Sequence, residues 1–207
     1  FRRSCTFLNE SLSSEDAAAV LIITVDGADE EDVFRCYERI GSLCEESGAM
    51  NVFVADTPPV SERVWKIRRS IAESYAIISP HQANEDLVVP PASIPQLIEG
   101  MRRIAERYEV TIPAYGHAGD GNIHTRIVKN PDWSVAYWEE RLPRVLDDLY
   151  TLTARLGGRI SGEHGIGHKR KAYLGYFLAP EYVAVARAVK RALDPNGILN
   201  PGKIFDP

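Results

Sequence analysis

Apolar residues in this chain form two kinds of run, one continuous and one spaced at helical intervals. Ala17 to Val25 (A-A-A-V-L-I-I-T-V) is continuous, β-branched and ended by Asp26-Gly27, which predicts a buried strand. Val33, Tyr37, Ile40 and Cys44 then recur at helical spacing up to the stop signal Gly48. Asn51 to Ala55 reads as a short second strand, and Pro58-Pro59 breaks the chain. From Ser61 to Tyr75, Val64, Ile67, Ile71 and Tyr75 share one helical face, with Ser61 as N-cap.

Ile77 to Asn84 is loop-like. Glu85 to Val89 reads as a strand stopped by Pro90-Pro91. Ser93 and Gln96 have the spacing of a capping box. Behind them, Ile94, Leu97, Ile98, Met101, Ile104, Ala105 and Tyr108 form a buried stripe. Val110–Tyr115 and Asn122–Val128 are strands flanking a turn. A long helix follows from about Trp138 to Leu156, with Pro143 in its first turn or at a kink and Gly157-Gly158 ending it. A final helix covers about Glu181 to Leu193, before the turn Asp194-Pro195-Asn196-Gly197. This order predicts an α+β fold: a ferredoxin-like antiparallel sheet covered by helices, plus a C-terminal helical segment.

Composition adds boundaries. At 207 residues and 44% hydrophobic content, the chain suits one sizeable domain or one domain with an appended segment. No apolar run approaches the ~20 residues of a membrane span. Phe1-Arg2-Arg3-Ser4-Cys5 does not read as a signal peptide, and the absence of an initial Met suggests a fragment or processed product. Cys5, Cys36 and Cys44 are odd in number and lack metal spacing, which points to a reducing, cytoplasmic setting. Residues 1–62 hold 13 acidic and 4 basic groups, net −9, and the rest hold 16 and 20, net +4. The second part is therefore the one suited to small anions. A nucleic-acid surface is not expected, because no dense basic stripe with interleaved aromatics occurs.

The chemistry is concentrated in two runs. G-H-A-G-D-G-N-I-H spans Gly116–His124 and S-G-E-H-G-I-G-H spans Ser161–His168; together they hold four of the five histidines. If Ala118-Gly119-Asp120-Gly121 is a hairpin turn, His117 lies opposite Asn122, and His124 shares the face of Asn122, diagonal to His117. At ~7 Å diagonal spacing two imidazoles can close on one metal, although a one-residue slip would undo the arrangement. Glu163 and His164 are candidates to complete the set. Two imidazoles and a carboxylate suit Zn²⁺, and Mn²⁺ or Fe²⁺ also fit. Gly162, Gly165 and Gly167 allow close backbone approach to a bound molecule. His81, in a polar loop, and His168, before Lys169-Arg170-Lys171, read as ordinary solvated residues, as do Lys169 and Lys171. Surface ion pairs are the default for Arg68 and Arg69, but Arg68, next to apolar Ile67, is placed where it could clamp a carboxylate.

Taken together, Gly116–His124, Ser161–Gly167 and Asp194–Lys203 (D-P-N-G-I-L-N-P-G-K) resemble the C-terminal part of the FAD-linked oxidases. That family includes the glycolate oxidase catalytic subunit, D-lactate dehydrogenases and D-2-hydroxyglutarate dehydrogenase. The resemblance covers nearly the whole chain. It implies a substrate or cap domain over residues 1–175 and a segment, 176–207, that returns to an FAD-binding domain of the same protein. It further implies His117, His124 and Glu163 as ligands of a divalent metal, with Zn or Mn expected. Asn122 and Arg68 would bind substrate, His164 would take the hydroxyl proton of a small 2-hydroxy acid, and Asn200 would approach FAD. An electron-transfer partner is also implied. The lysine that aids a second carboxylate in the hydroxyglutarate enzyme has no counterpart near Asn84–Asp86, which favours a smaller acid such as glycolate or D-lactate.

Two other functions stay open on the same residues. One is a metal-dependent hydrolase acting through metal-bound water. The other is a non-catalytic module that binds small acids. Dependence on FAD separates the oxidoreductase from the hydrolase.

Overall fold

The computed structural model describes residues 1–11 and 17–206, which form two compact units, Phe1–Ile77 and Ile78–Pro207. The first unit contains helices α1 (Arg2–Leu8), α2 (Glu30–Glu46), α3 (Pro58–Arg69) and α4 (Ile71–Ala76). α2 matches the helical spacing of Val33 to Cys44. Asp29 caps it by accepting from the Asp32 amide at 2.9 Å, and Glu30, Glu31 and Asp32 place negative charge at the positive end of the helix dipole.

Two sequence expectations change in this unit. Ala17–Val25 and Asn51–Ala55 are not strands, and neither belongs to a sheet among the described residues. In the first, where burial was expected, Leu21 is open at 65%, and in the second Phe53 is open at 67%. β-branched composition favours an extended chain, but a strand exists only when a neighbour completes its hydrogen-bond ladder. The helix expected over Ser61–Tyr75 starts earlier and is divided. Pro58 at its first position fits the helix start, so the proline pair opens the helix and Thr57, not Ser61, is the N-cap residue. Ser70 divides α3 from α4 and turns its hydroxyl back to the Lys66 carbonyl at 2.9 Å. Ile67 and Ile71, from the expected apolar face, are buried together with Cys5 of α1.

The second unit carries an antiparallel three-stranded sheet in the order β1 (Gln82–Val88), β3 (Asn122–Val128), β2 (Ala114–His117). β1 begins three residues before the expected Glu85. α5 (Ile94–Tyr108), α6 (Val135–Arg155) and α7 (Pro180–Leu193) complete the unit, and the chain as a whole is α+β. Leu97, Met101 and Ile104 of α5, with Val145, Leu149 and Tyr150 of α6, share one core with Leu87, Ile123 and Ile127 of the sheet. Strand alternation therefore turns Asp86 and His124, which pair across β1 and β3, to the opposite face.

Helix ends show where local chemistry departs from sequence templates. Ser93 precedes α5, but it sits in a 3₁₀ turn with helical dihedrals and makes no side-chain cap bond, so the capping box does not form. Ser134 does cap α6, accepting from the Tyr137 amide at 3.2 Å, and Pro143 lies inside that helix. Buried Lys129, just beyond β3, satisfies its ammonium on the carbonyls of Asn130 (2.8 Å), Pro131 (3.3 Å) and Trp133 (2.5 Å). No helix among the described residues is long and apolar enough to cross a membrane.

Candidate functional site

The β2–β3 hairpin adopts the register expected from its sequence, with His117 opposite Asn122 and Tyr115 opposite His124. Its turn is fixed by Asp120, whose carboxylate accepts the Asn122 amide at 3.0 Å. Gly121 adopts φ 78°, and a side chain there would overlap the carbonyl of Val89, so glycine is required by both dihedral and space. Asn122, His124 and Arg126 then share the polar face of β3.

The second histidine run approaches this face past the edge of β1. Arg159 pairs with Val88 through two backbone bonds, 2.7 and 3.1 Å, which continues the sheet by one residue. Beyond it the chain folds around Asp86. One oxygen of that carboxylate accepts from the Ser161 hydroxyl (2.9 Å) and from the amides of Gly162 (3.1 Å), Glu163 (3.0 Å) and His164 (2.8 Å). The other accepts from the side-chain amide of Asn122 at 3.0 Å. Burial alone would raise the Asp86 carboxyl, but these donors outweigh it and hold it at about 2.

Five of the expected site residues, His117, Asn122, His124, Glu163 and His164, are brought together, Asn122 through its bond to Asp86. Ligand atoms of His117, His124 and Glu163 all lie within 4.8 Å of one another, and so do those of Asp86, His124 and His164. His124 Nε2 is 3.1 Å from Glu163 Oε1, and His164 Nε2 is 3.4 Å from the same oxygen. The His124 and His164 rings stack at 5.2 Å, and the His117 ring meets His124 edge-on at 5.8 Å. Burial pushes His124 below the ordinary imidazole value, assisted by the two neighbouring imidazoles and opposed by Asp86 and Glu163. A neutral ring is the form that ligates a metal.

The donor set fits a divalent ion. Ligand atoms about 3.4 Å apart are what tetrahedral bonds of about 2.1 Å demand, and His124 Nε2 and Glu163 Oε1 lie 3.1 Å apart, with His117 within 4.8 Å of both. The Nδ1 atom of His124 is buried without a hydrogen-bond partner and lies 3.6 Å from Asp86 Oδ1, on the Asp86 side of the ring. Nε2 meets Glu163.

Arg68 and Asn200 are the other two expected residues. Arg68 is a half-buried residue of α3 in the first unit. Asn200 is exposed in the C-terminal turn at φ 49°, with its carbonyl accepting from the Lys203 amide at 3.2 Å. The D-P-N-G turn owes its shape to buried Asp194, which accepts from the amides of Ile198 and Leu199, both at 3.0 Å, and pairs with Lys190. Lys169 and Lys171 are not merely solvated. Lys169 approaches Glu85 at 2.8 Å and donates to the Asn84 carbonyl, and Lys171 pairs with Asp206.

Sequence reasoning missed Asp86. Its signal was present, as a pair of acidic residues opening the apolar run Glu85–Val89, but a strand carboxylate alone does not say what it binds.

A family model described as FAD linked oxidases, C-terminal domain, matches residues 5–204. The chain belongs to this family. The resemblance carried by the three motifs is thereby borne out. Among its relatives, the chain is 36% identical over 192 residues to the glycolate oxidase subunit GlcD of Bacillus subtilis, covering 91% of this chain and 40% of that protein. It is 33% identical over 195 residues to the D-lactate dehydrogenase of Anaerostipes hadrus, covering 94% and 41%. Similarity to the D-2-hydroxyglutarate dehydrogenase of Stutzerimonas stutzeri is 27% over 192 residues, covering 92% and 41%. The chain thus spans about two fifths of the length of these relatives.

Proposed function

We propose that this chain is the substrate-side part of a flavin-linked enzyme that oxidises a small 2-hydroxy acid, of the glycolate or D-lactate class, to the 2-oxo acid. The observation that carries this reading is the convergence of His117, His124 and Glu163 on one point, with His164 beside them. On this reading His117, His124 and Glu163 hold a divalent metal, Zn or Mn. When bound, the metal acidifies the substrate hydroxyl and holds the carboxylate, and FAD accepts the hydride. His164 receives the hydroxyl proton at Nε2. Asn122 positions the substrate through its side chain, Arg68 binds the carboxylate, and Asn200 approaches FAD.

Two observations support the finer assignments. Lys169, the lysine that reaches β1 near Asn84, is engaged by buried Glu85 and the Asn84 carbonyl, which favours a substrate without a second carboxylate. On α7, Tyr182, Val185, Val189 and Leu193 form a stripe at helical spacing, each more than half exposed. Such a stripe supports docking of residues 176–207 on an FAD-binding domain, with residues 1–175 supplying the substrate side.

The test uses the full-length protein reconstituted with FAD. Flavin bleaching is followed with glycolate, D-lactate, L-lactate and D-2-hydroxyglutarate, with and without chelator. Bleaching by glycolate or D-lactate that chelation abolishes and Zn²⁺ or Mn²⁺ restores is the expected result. Failure of every 2-hydroxy acid to bleach the flavin overturns the reading.

A further inference from the structure

We infer that Asp86 is the positioning residue of this site, a single carboxylate that orients the His124 ring and the Glu163–His164 backbone together. The inference rests on the reading that His117, His124 and Glu163 hold a divalent ion. Its basis is the set of groups that surround Asp86. The side chain is fully buried, and among the described residues the basic side-chain nitrogens within 4.0 Å of it are those of the His124 and His164 imidazoles. Glu85, the residue before it, takes both Lys169 and Arg170. A buried carboxylate with no lysine or arginine beside it is costly unless other donors or a nearby cation compensate.

Each of the five hydrogen bonds to Asp86 comes from an N–H or O–H donor. An asparagine at this position would turn its NH₂ toward one set of those donors, so the site calls for a carboxylate. Asp86 Oδ1 also lies 3.6 Å from the unpartnered His124 Nδ1. A proton on Nδ1 would point to Asp86 and leave Nε2, the atom facing Glu163, free to ligate. Carboxylate, imidazole and metal in line are a recurring way to fix ring tautomer and orientation. Because the same carboxylate takes the Glu163 and His164 amides, one residue sets the ligand, the neighbouring ligand and the proton acceptor.

The experiment uses full-length protein with FAD bound and Zn²⁺ as the probe, its affinity read by competition with a chelator. Asp86→Asn is expected to weaken Zn²⁺ binding about 10- to 100-fold. Ser161→Ala removes one of the five donors to Asp86 but keeps the charge, and is expected to change affinity less than threefold. Equal losses in the two variants would make Asp86 a loop staple and overturn the inference. So would an Asp86→Asn affinity within twofold of wild type while His124→Ala abolishes binding, a result that leaves the metal reading intact. If neither His117→Ala nor His124→Ala alters Zn²⁺ binding, the metal reading fails and the inference with it. A second measurement needs no variant: ¹⁵N NMR of histidine-labelled, Zn²⁺-loaded wild type. The expected signature is a protonated Nδ1 and metal-bound Nε2 on His124, and metal on Nδ1 overturns the inference.

Discussion

Glu85 and Asp86 are neighbours on β1 that face opposite sides of the sheet and hold opposite ends of one loop. Asp86 takes the amides of residues 162–164, and Glu85 takes Arg170 Nε at 3.1 Å, Lys169 Nζ at 2.8 Å and the Tyr150 hydroxyl at 2.5 Å. Glu85 and Arg170 are both buried, so the value of the pair depends on neither charge being left alone. Arg170→Met is expected to destabilise the protein by about 3 kcal/mol, the lower end for a broken buried pair, because Lys169 remains. Replacing both partners, Glu85→Met with Arg170→Met, should recover much of that loss. Urea unfolding of the two single variants and the double checks this, and additive losses would show that the pair is not coupled.

Asp86 predicts a pH dependence of a definite sign. Its carboxyl is held at about 2 in the folded protein against an ordinary value of 3.8. A depressed carboxyl stabilises the fold at pH above its unfolded value, and this contribution is lost as pH falls toward the folded value. The amount is about 2 kcal/mol. In metal-free protein, the stability advantage of wild type over Asp86→Asn should therefore shrink by about 2 kcal/mol between pH 6 and pH 2. Urea unfolding across that range measures it, and a difference that stays constant with pH contradicts the account.

Glycines near the site separate crowding from conformation. A side chain at Gly162 would overlap the Asn122 amide nitrogen, and its own amide donates to Asp86. Gly162→Ala is expected to cost about 1–3 kcal/mol and to displace Glu163 from the histidines. Gly119→Ala meets no atom within 4 Å and needs no positive φ, so it serves as the neutral control. Thermal unfolding and Zn²⁺ affinity of both variants decide the matter, and equal behaviour of the two would contradict the crowding argument.

The hairpin was legible in sequence because its determinants are local. Gly and Asp fix the turn, alternation fixes which residues share a face, and His117 lands opposite Asn122. Glu163 and His164 were legible as a cluster and as candidates to complete the His117–His124 set, although the long excursion through α6 leaves no local determinant of their contact with His124. Asp86 was not legible because three of its five partners are backbone amides, which every residue but proline carries. Ala17–Val25 shows the opposite failure: strong strand propensity with no ladder among the described residues to express it. Ser70 likewise interrupts a regular apolar stripe through one hydroxyl-to-carbonyl bond.

His117 and His124 should respond differently to truncation although both are assigned as ligands. His117 is exposed at the end of β2, whereas the His124 side chain is 13% exposed between Tyr115 and Asp86. Removing an exposed side chain that does not support the core changes stability by about 0.5 kcal/mol or less. Removing His124 takes away the ring stacked on His164 and opens space beside a buried carboxylate, at a cost of about 1–3 kcal/mol. Both His117→Ala and His124→Ala are expected to weaken Zn²⁺ binding at least 10-fold, but only His124→Ala should lower the unfolding temperature of the metal-free full-length protein. Thermal unfolding in excess chelator, paired with Zn²⁺ titration, separates the two effects. A large stability loss in His117→Ala would place that residue in the structural support of the hairpin, and would contradict its assignment as a ligand held at an open rim.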